Sequence, residues 1–141
     1  MSSPGEIHSA RAPEPVGAYP HARRAGGLLF LSGIGPRKRG SQEIPGVKLR
    51  PDGTVESYDI EAQCRSVFDN VRAVLEDAGA RWEDLVDVTV FLTDMKRDFA
   101  AYNRLYAEYF REARPCRTTV EVGALPTPIA IELKCIAEIR T

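Results

Sequence analysis

Arg117 stands in the alternating run Arg117-Thr118-Thr119-Val120-Glu121-Val122, and Glu132 in a second run from Ile129 to Ile139. The two-residue repeat of a strand puts Arg117, Thr119 and Glu121 on one face and leaves Glu132 on the polar face of the next run. A guanidinium beside a threonine suits a planar anion, because its fork of donors holds a carboxylate through two parallel hydrogen bonds. A carboxylate on the neighbouring strand could then orient or activate a water. The plainer alternative for Arg117 is a salt bridge between subunits, with Glu132 or Glu121 as partner. Tyr19, and Ser32-Gly33 at the end of an apolar strand, complete the set with chemical potential.

Other chemistries find little to build on. The sequence contains no G-x-S-x-G, P-loop, G-x-G-x-x-G, C-x-x-C or H-E-x-x-H motif. His8 and His21 are the two histidines, neither spaced to join a Cys or carboxylate cluster, so no metal site and no histidine-activated nucleophile are expected. Cys64, Cys116 and Cys135 are odd in number and widely spaced, which argues against a disulfide framework and for a reducing compartment. With no signal-like segment and no membrane-length apolar run, a cytoplasmic location follows as the expectation.

Periodicity indicates the elements that must position these groups. Ile60, Cys64, Val67, Phe68, Val71, Val74, Leu75 and Ala78 mark one face of a helix, with Asp59 to cap its start and Gly79 its end. Val86, Val88, Val90 and Leu92 form one side of a strand. A second helix, entered at Asp94 or Asp98, turns Phe99, Tyr102, Leu105, Tyr106, Tyr109 and Phe110 inward. Leu28 to Leu31 is a strand apolar on both faces, so both faces should be covered. Residues 1–15 read as an extended lead-in, with at most a short strand, and residues 16–141 as a single domain. Between Gly35 and Tyr58 runs a Gly-, Pro- and charge-rich stretch. It is either a substrate lid or a solvated excursion holding a hairpin that turns at Pro51-Asp52-Gly53.

The assembled order is β-β-α-β-α-β-β, and two helices cover one face of such a sheet. The other face, assigned Arg117, Thr119, Phe91 and Ile136, is too apolar for water and too polar for a core. A homo-oligomer with clefts between its subunits answers this. The 141 residues carry a net charge of −1, which excludes a general polyanion binder, but residues 1–50 hold 8 basic and 3 acidic side chains.

The strings Ser32-Gly33, Glu76-Asp77-Ala78-Gly79, Asp87 to Met95, Asp98-Phe99 with Tyr102-Asn103 and Tyr109-Phe110, Pro115 to Val122, Leu125-Pro126 and Ile131-Glu132 resemble the RidA/YjgF family of enamine/imine deaminases. The resemblance runs from Val16 to Arg140. It implies an α+β, chorismate-mutase-like mixed sheet with two helices on one face, a homotrimer with active sites between subunits, and no cofactor. In the family's pattern Arg117 binds the substrate carboxylate and Glu132 positions the hydrolytic water. Tyr19, Ser32 and Gly33 match positions lining the cleft, and Asn103 a helix asparagine near it.

Two departures stand out. Thr119 replaces a cysteine found two residues after the arginine in many members, which excludes a thiol role there. The long basic loop and the string Gly17-Ala18-Tyr19-Pro20-His21 look like the branch that deaminates 2-aminomuconate to 4-oxalocrotonate in the degradation of aromatic compounds. The alternatives are a general deaminase of small 2-imino acids and a ligand- or RNA-binding relative without catalysis. A six-carbon dicarboxylate needs a second cationic contact, for which His21, Arg23, Arg24, Arg37, Lys38 and Arg39 are available. At least one of them is expected to reach the cleft.

Overall fold

The computed structural model describes residues 4–140. Strands β1 (Glu6–Ile7), β2 (Ala22–Ala25) and β3 (Leu28–Leu31) are followed by a hairpin, β4 (Val47–Leu49) and β5 (Val55–Tyr58). Helix α1 (Ile60–Asp77), a 3-10 turn (Trp82–Asp84), β6 (Leu85–Leu92), α2 (Met95–Phe110), β7 (Cys116–Glu121) and β8 (Ile131–Glu138) complete the order. The main sheet runs β1-β2-β3-β8-β6-β7, antiparallel except for the parallel β6–β7 pair, which α2 connects. This is the α+β mixed sheet with two helices on one face.

Local chemistry sets the helix ends. The Asp59 carboxylate accepts from the Glu61 and Ala62 amides, satisfying donors with no intrahelical partner. At the far end Gly79 takes φ +81°, while its amide donates to Glu76 O and that of Ala80 to Leu75 O. This is the left-handed closure that glycine makes without steric cost. The predicted stripe is buried: Cys64, Val67, Phe68, Val71, Val74 and Leu75 have no exposed surface. Phe68 meets Tyr106, Tyr109 and Phe110 at centroid distances of 6.4, 4.8 and 5.4 Å. Burying a ring of this size stabilises by roughly 1.5–3 kcal/mol.

Several expectations about faces change. Val86 points outward, 39% exposed, because a bulge between Leu85 and Asp87 breaks the alternation; Val88, Val90 and Leu92 remain in the core. Phe99 is also 37% exposed rather than inward. Leu28 and Phe30 alternate with buried Leu29 and Leu31, and so present themselves on the helix-free face. The stretch after Gly35 is the hairpin with its turn at residues 51–53, and Tyr58 ties it to α2 by donating to the buried Asp98 carboxylate at 2.6 Å.

The lead-in supplies β1 and is fastened beyond it. Arg11 bridges Asp77 at 2.8 Å and Glu76 at 3.2 Å, Ser9 Oγ donates to Asp77, and Ala12 joins the core. Among the described residues, no helix is long and apolar enough to cross a membrane.

Candidate functional site

Arg117 lies on the helix side of the sheet, not the helix-free side to which its alternation had been assigned. β7 pairs in parallel with β6, which puts Arg117 opposite Val88 and Thr119 opposite Val90, both core residues, and directly paired residues point the same way. The guanidinium rests 4.7 Å above the Tyr106 ring and 5.4 Å from that of Tyr102, a cation–π seat. Its Nη1 donates to Asn103 Oδ1 at 2.8 Å, which ties α2 to the arginine. Thr119 shares a 2.9 Å hydrogen bond with the Tyr102 hydroxyl. Tyr102 is otherwise fully buried, and the threonine therefore satisfies a hydroxyl that would be costly to leave unpaired.

Glu132 occupies the other side. It pairs with Phe91 while its neighbours Ile131 and Leu133 are buried toward the helices, so its carboxylate projects from the helix-free face. There it lines a recess of about 120 Å³ with Val16, Tyr19, Gly33, Gly35, Arg37, Pro126 and Thr127. Half-buried, Glu132 has its pKa pushed above the ordinary carboxylate value by desolvation, with the charge of Arg37 acting in the opposite direction. Gly33 is needed for this approach: a Cβ built on it would fall 2.6 Å from Glu132 Oε2.

The remaining predicted residues separate clearly. Tyr19 lines the recess, and its hydroxyl accepts from the Val16 amide at 3.1 Å. Ser32 is near but occupied, donating from Oγ to Pro20 O at 2.7 Å. His21 does not present itself to a ligand. It is 4% exposed, its Nδ1 accepts from the Ser9 amide at 3.0 Å and its Nε2 donates to Pro13 O at 2.8 Å. The histidine thus buttresses the lead-in. Arg23 and Arg24 are exposed on β2 and line no part of the recess. Arg39 is spent on Ser9 O, Ala12 O and Glu14, and Lys38 is exposed. Of the six basic candidates, Arg37 is the one in the recess.

Sequence reasoning gave no role to Asn70, yet its Nδ2 donates to Gly35 O at 2.9 Å and Arg37 O at 2.8 Å. The visible signal was an uncharged amide on the charged face of α1. Among the described residues no group of three or more His, Cys, Asp or Glu side chains could hold a metal ion.

Arg117 and Glu132 are therefore divided by the sheet itself. The strand next to β7 is β6, with β8 one further, and the two side chains leave opposite faces. Within one copy the sheet stands between the two side chains.

Residues 9–139 match the family described as Endoribonuclease L-PSP. A RutC family protein of Pyrococcus horikoshii is 42% identical over 132 residues, covering 93% of this chain and 94% of the relative. The chain belongs to the RidA/YjgF family. The crystal structure of the Escherichia coli YjgF gene product superposes with a TM-score of 0.81 at 34% identity, covering 96% of this chain and 98% of the other. E. coli TdcF, solved with bound serine, gives a TM-score of 0.81 at 32% identity with the same coverage. Within the RidA/YjgF family, this chain carries a threonine at 119 that serves the core and an arginine at 37 that faces the glutamate.

Proposed function

We propose that the chain is a hydrolytic deaminase of enamine/imine carboxylates, acting as a homotrimer whose sites lie between subunits. The observation that carries this reading is the division across the sheet: an exposed guanidinium seated on two aromatic rings on one face and a half-buried carboxylate on the other. Arg117 of one copy anchors the carboxylate beside the amino-bearing carbon. The enamine takes a proton on carbon and gives one up from nitrogen, becoming the imine. A water held by Glu132 of the neighbouring copy adds to the C=N carbon, one of its protons passing through the carboxylate to nitrogen; the hydroxyl proton then passes the same way as the C–N bond breaks, the carbonyl forms and ammonia leaves. Imines already react readily with water, so positioning and general acid–base catalysis suffice, the latter contributing roughly 10²–10⁴-fold. The bound serine of TdcF, an amino acid with a carboxylate of its own, is consistent with an anion site in this fold.

The substrate we assign is 2-aminomuconate, giving 4-oxalocrotonate in the breakdown of aromatic compounds, and the compartment the reducing cytoplasm. Support comes from the basic first third of the chain, which brings Arg37 into the Glu132 recess. The expected result is loss of the near-ultraviolet absorbance of 2-aminomuconate with stoichiometric ammonia, at a kcat/KM above that for 2-aminoacrylate. The reverse preference would make the chain a general 2-imino acid deaminase. Ammonia from neither, together with RNA binding or cleavage, would replace the deaminase reading.

Gly33→Ala provides a local test. Its new methyl group pushes the Glu132 carboxylate, the free end of a flexible side chain, out of position. Misplacement of about 1 Å costs on the order of 10²-fold in kcat/KM, while the melting temperature stays within a few degrees because no backbone is displaced. Retention of full activity would remove Glu132 from the reaction.

A further inference from the structure

We propose that Arg37 is the residue that selects a dicarboxylate over a monocarboxylate, and that Asn70 is the positioning residue that aims it. The inference rests on the deaminase reading for the location of the substrate and adds the identity of its distal contact.

The geometry is that of a braced cation. Arg37 follows Gly35-Pro36 at the exit of β3, where a free loop would let its long side chain wander. Asn70, on the fixed helix α1, donates to the carbonyls of both Gly35 and Arg37, pinning the backbone on either side of Pro36. The guanidinium is braced in turn, with Nη2 donating to Glu14 O at 2.9 Å. A carbonyl is neutral, so this hydrogen bond does not pair the guanidinium with an anion, unlike the carboxylate that pairs with neighbouring Arg39. The charges facing Arg37 are Glu14, which feels it through space, and Glu132 across the recess. The cation therefore lies beside the group assigned to water, in a recess that Arg117 of the same copy does not line. A substrate with one carboxylate leaves that cation solvated. A substrate with a second carboxylate at the other end of a short chain meets it.

Binding can be measured without turnover. trans,trans-Muconate and sorbate are both six-carbon dienes of the same double-bond geometry, and sorbate carries a methyl group in place of the second carboxylate. Calorimetric titration of the assembled wild-type protein is expected to show muconate about 10–100-fold tighter than sorbate, the range for one charge-assisted contact. Arg37→Gln collapses the ratio of the two dissociation constants to near one. Asn70→Ala narrows it several-fold while the Arg37 side chain is still present, an effect that a merely stabilising asparagine would not have on a ratio.

A wild-type ratio near one, or a ratio that survives Arg37→Gln, overturns the proposal. If muconate binds with the expected ratio and no ammonia is released from 2-aminomuconate, the deaminase reading fails while the selectivity role stands. If neither acid binds, both fail together.

Discussion

Replacing Arg117 with alanine is expected to abolish turnover while leaving the fold and the assembly intact. The side chain is exposed, so its removal costs little packing, and the aromatic floor of Tyr102 and Tyr106 is held by the core without it. What disappears is the anchor: two charge-assisted hydrogen bonds to a carboxylate, at about 1.5–3 kcal/mol each, correspond to roughly 10²–10⁴-fold in kcat/KM. Arg117→Lys should recover only a small part, since an ammonium presents one point of charge and no planar fork. Steady-state kinetics paired with sedimentation decides the matter. Dissociation of the alanine variant would instead make Arg117 an intersubunit salt bridge, the plainer alternative the sequence allows.

Glu132→Gln is expected to lower kcat by about 10²–10⁴-fold with KM nearly unchanged, because glutamine retains the shape but cannot take a proton. The wild-type pH profile carries a signature of the same group. Glu132 works as the carboxylate, so activity rises with pH as it ionises. Since burial raises its pKa, this acid limb lies above the ordinary glutamate range. Arg37 opposes that shift, so Arg37→Gln moves the limb further up; Glu132→Gln removes it. A limb at the ordinary glutamate position, unmoved by Arg37→Gln, would contradict the assignment.

The two inactive variants also test the division across the sheet. If each site takes Arg117 from one chain and Glu132 from the next, co-refolding equal amounts of Arg117→Ala and Glu132→Gln produces sites with both residues intact in about a quarter of cases. Activity should return to that fraction. A site built within one chain would return none.

Much of this architecture could be read from residue patterns, and the failures have local causes. The α1 stripe, the caps at Asp59 and Gly79, and the turn at residues 51–53 depend on neighbours in sequence, which periodicity and turn chemistry report directly. The face of Arg117 depends on which strand lies beside it. Read as one arm of a C-terminal strand pair, β7 was placed next to β8. The structure pairs it in parallel with β6 through α2, and that partner turns Arg117 toward the helices. Val86 was misplaced by a bulge, which adds one residue without any mark in composition.

The site divided in the same way. Tyr19, Gly33, Arg37, Arg117 and Glu132 stand out in the sequence because their residue types announce binding or turning, whereas Asn103 is named only by the family resemblance. The burial of His21 was not, since a histidine whose two nitrogens meet backbone groups looks in sequence like any other. Asn70 went unseen because its partners are main-chain carbonyls, which have no residue type to recognise.

The position of β8 has a consequence for how the protein is made. It lies between β3 and β6 in the sheet, yet follows every other strand in the sequence. A nascent chain that has not yet delivered residues 131–138 owns two disconnected fragments of sheet, β1-β2-β3 and β6-β7. Leu29 and Leu31 on one and Val88 and Val90 on the other still await their central neighbour. Contacts of such long sequence separation form late and leave strand edges open to other chains in the meantime. The strand that closes the sheet also carries Glu132, so the same event that completes the fold during synthesis delivers the residue assigned to the water.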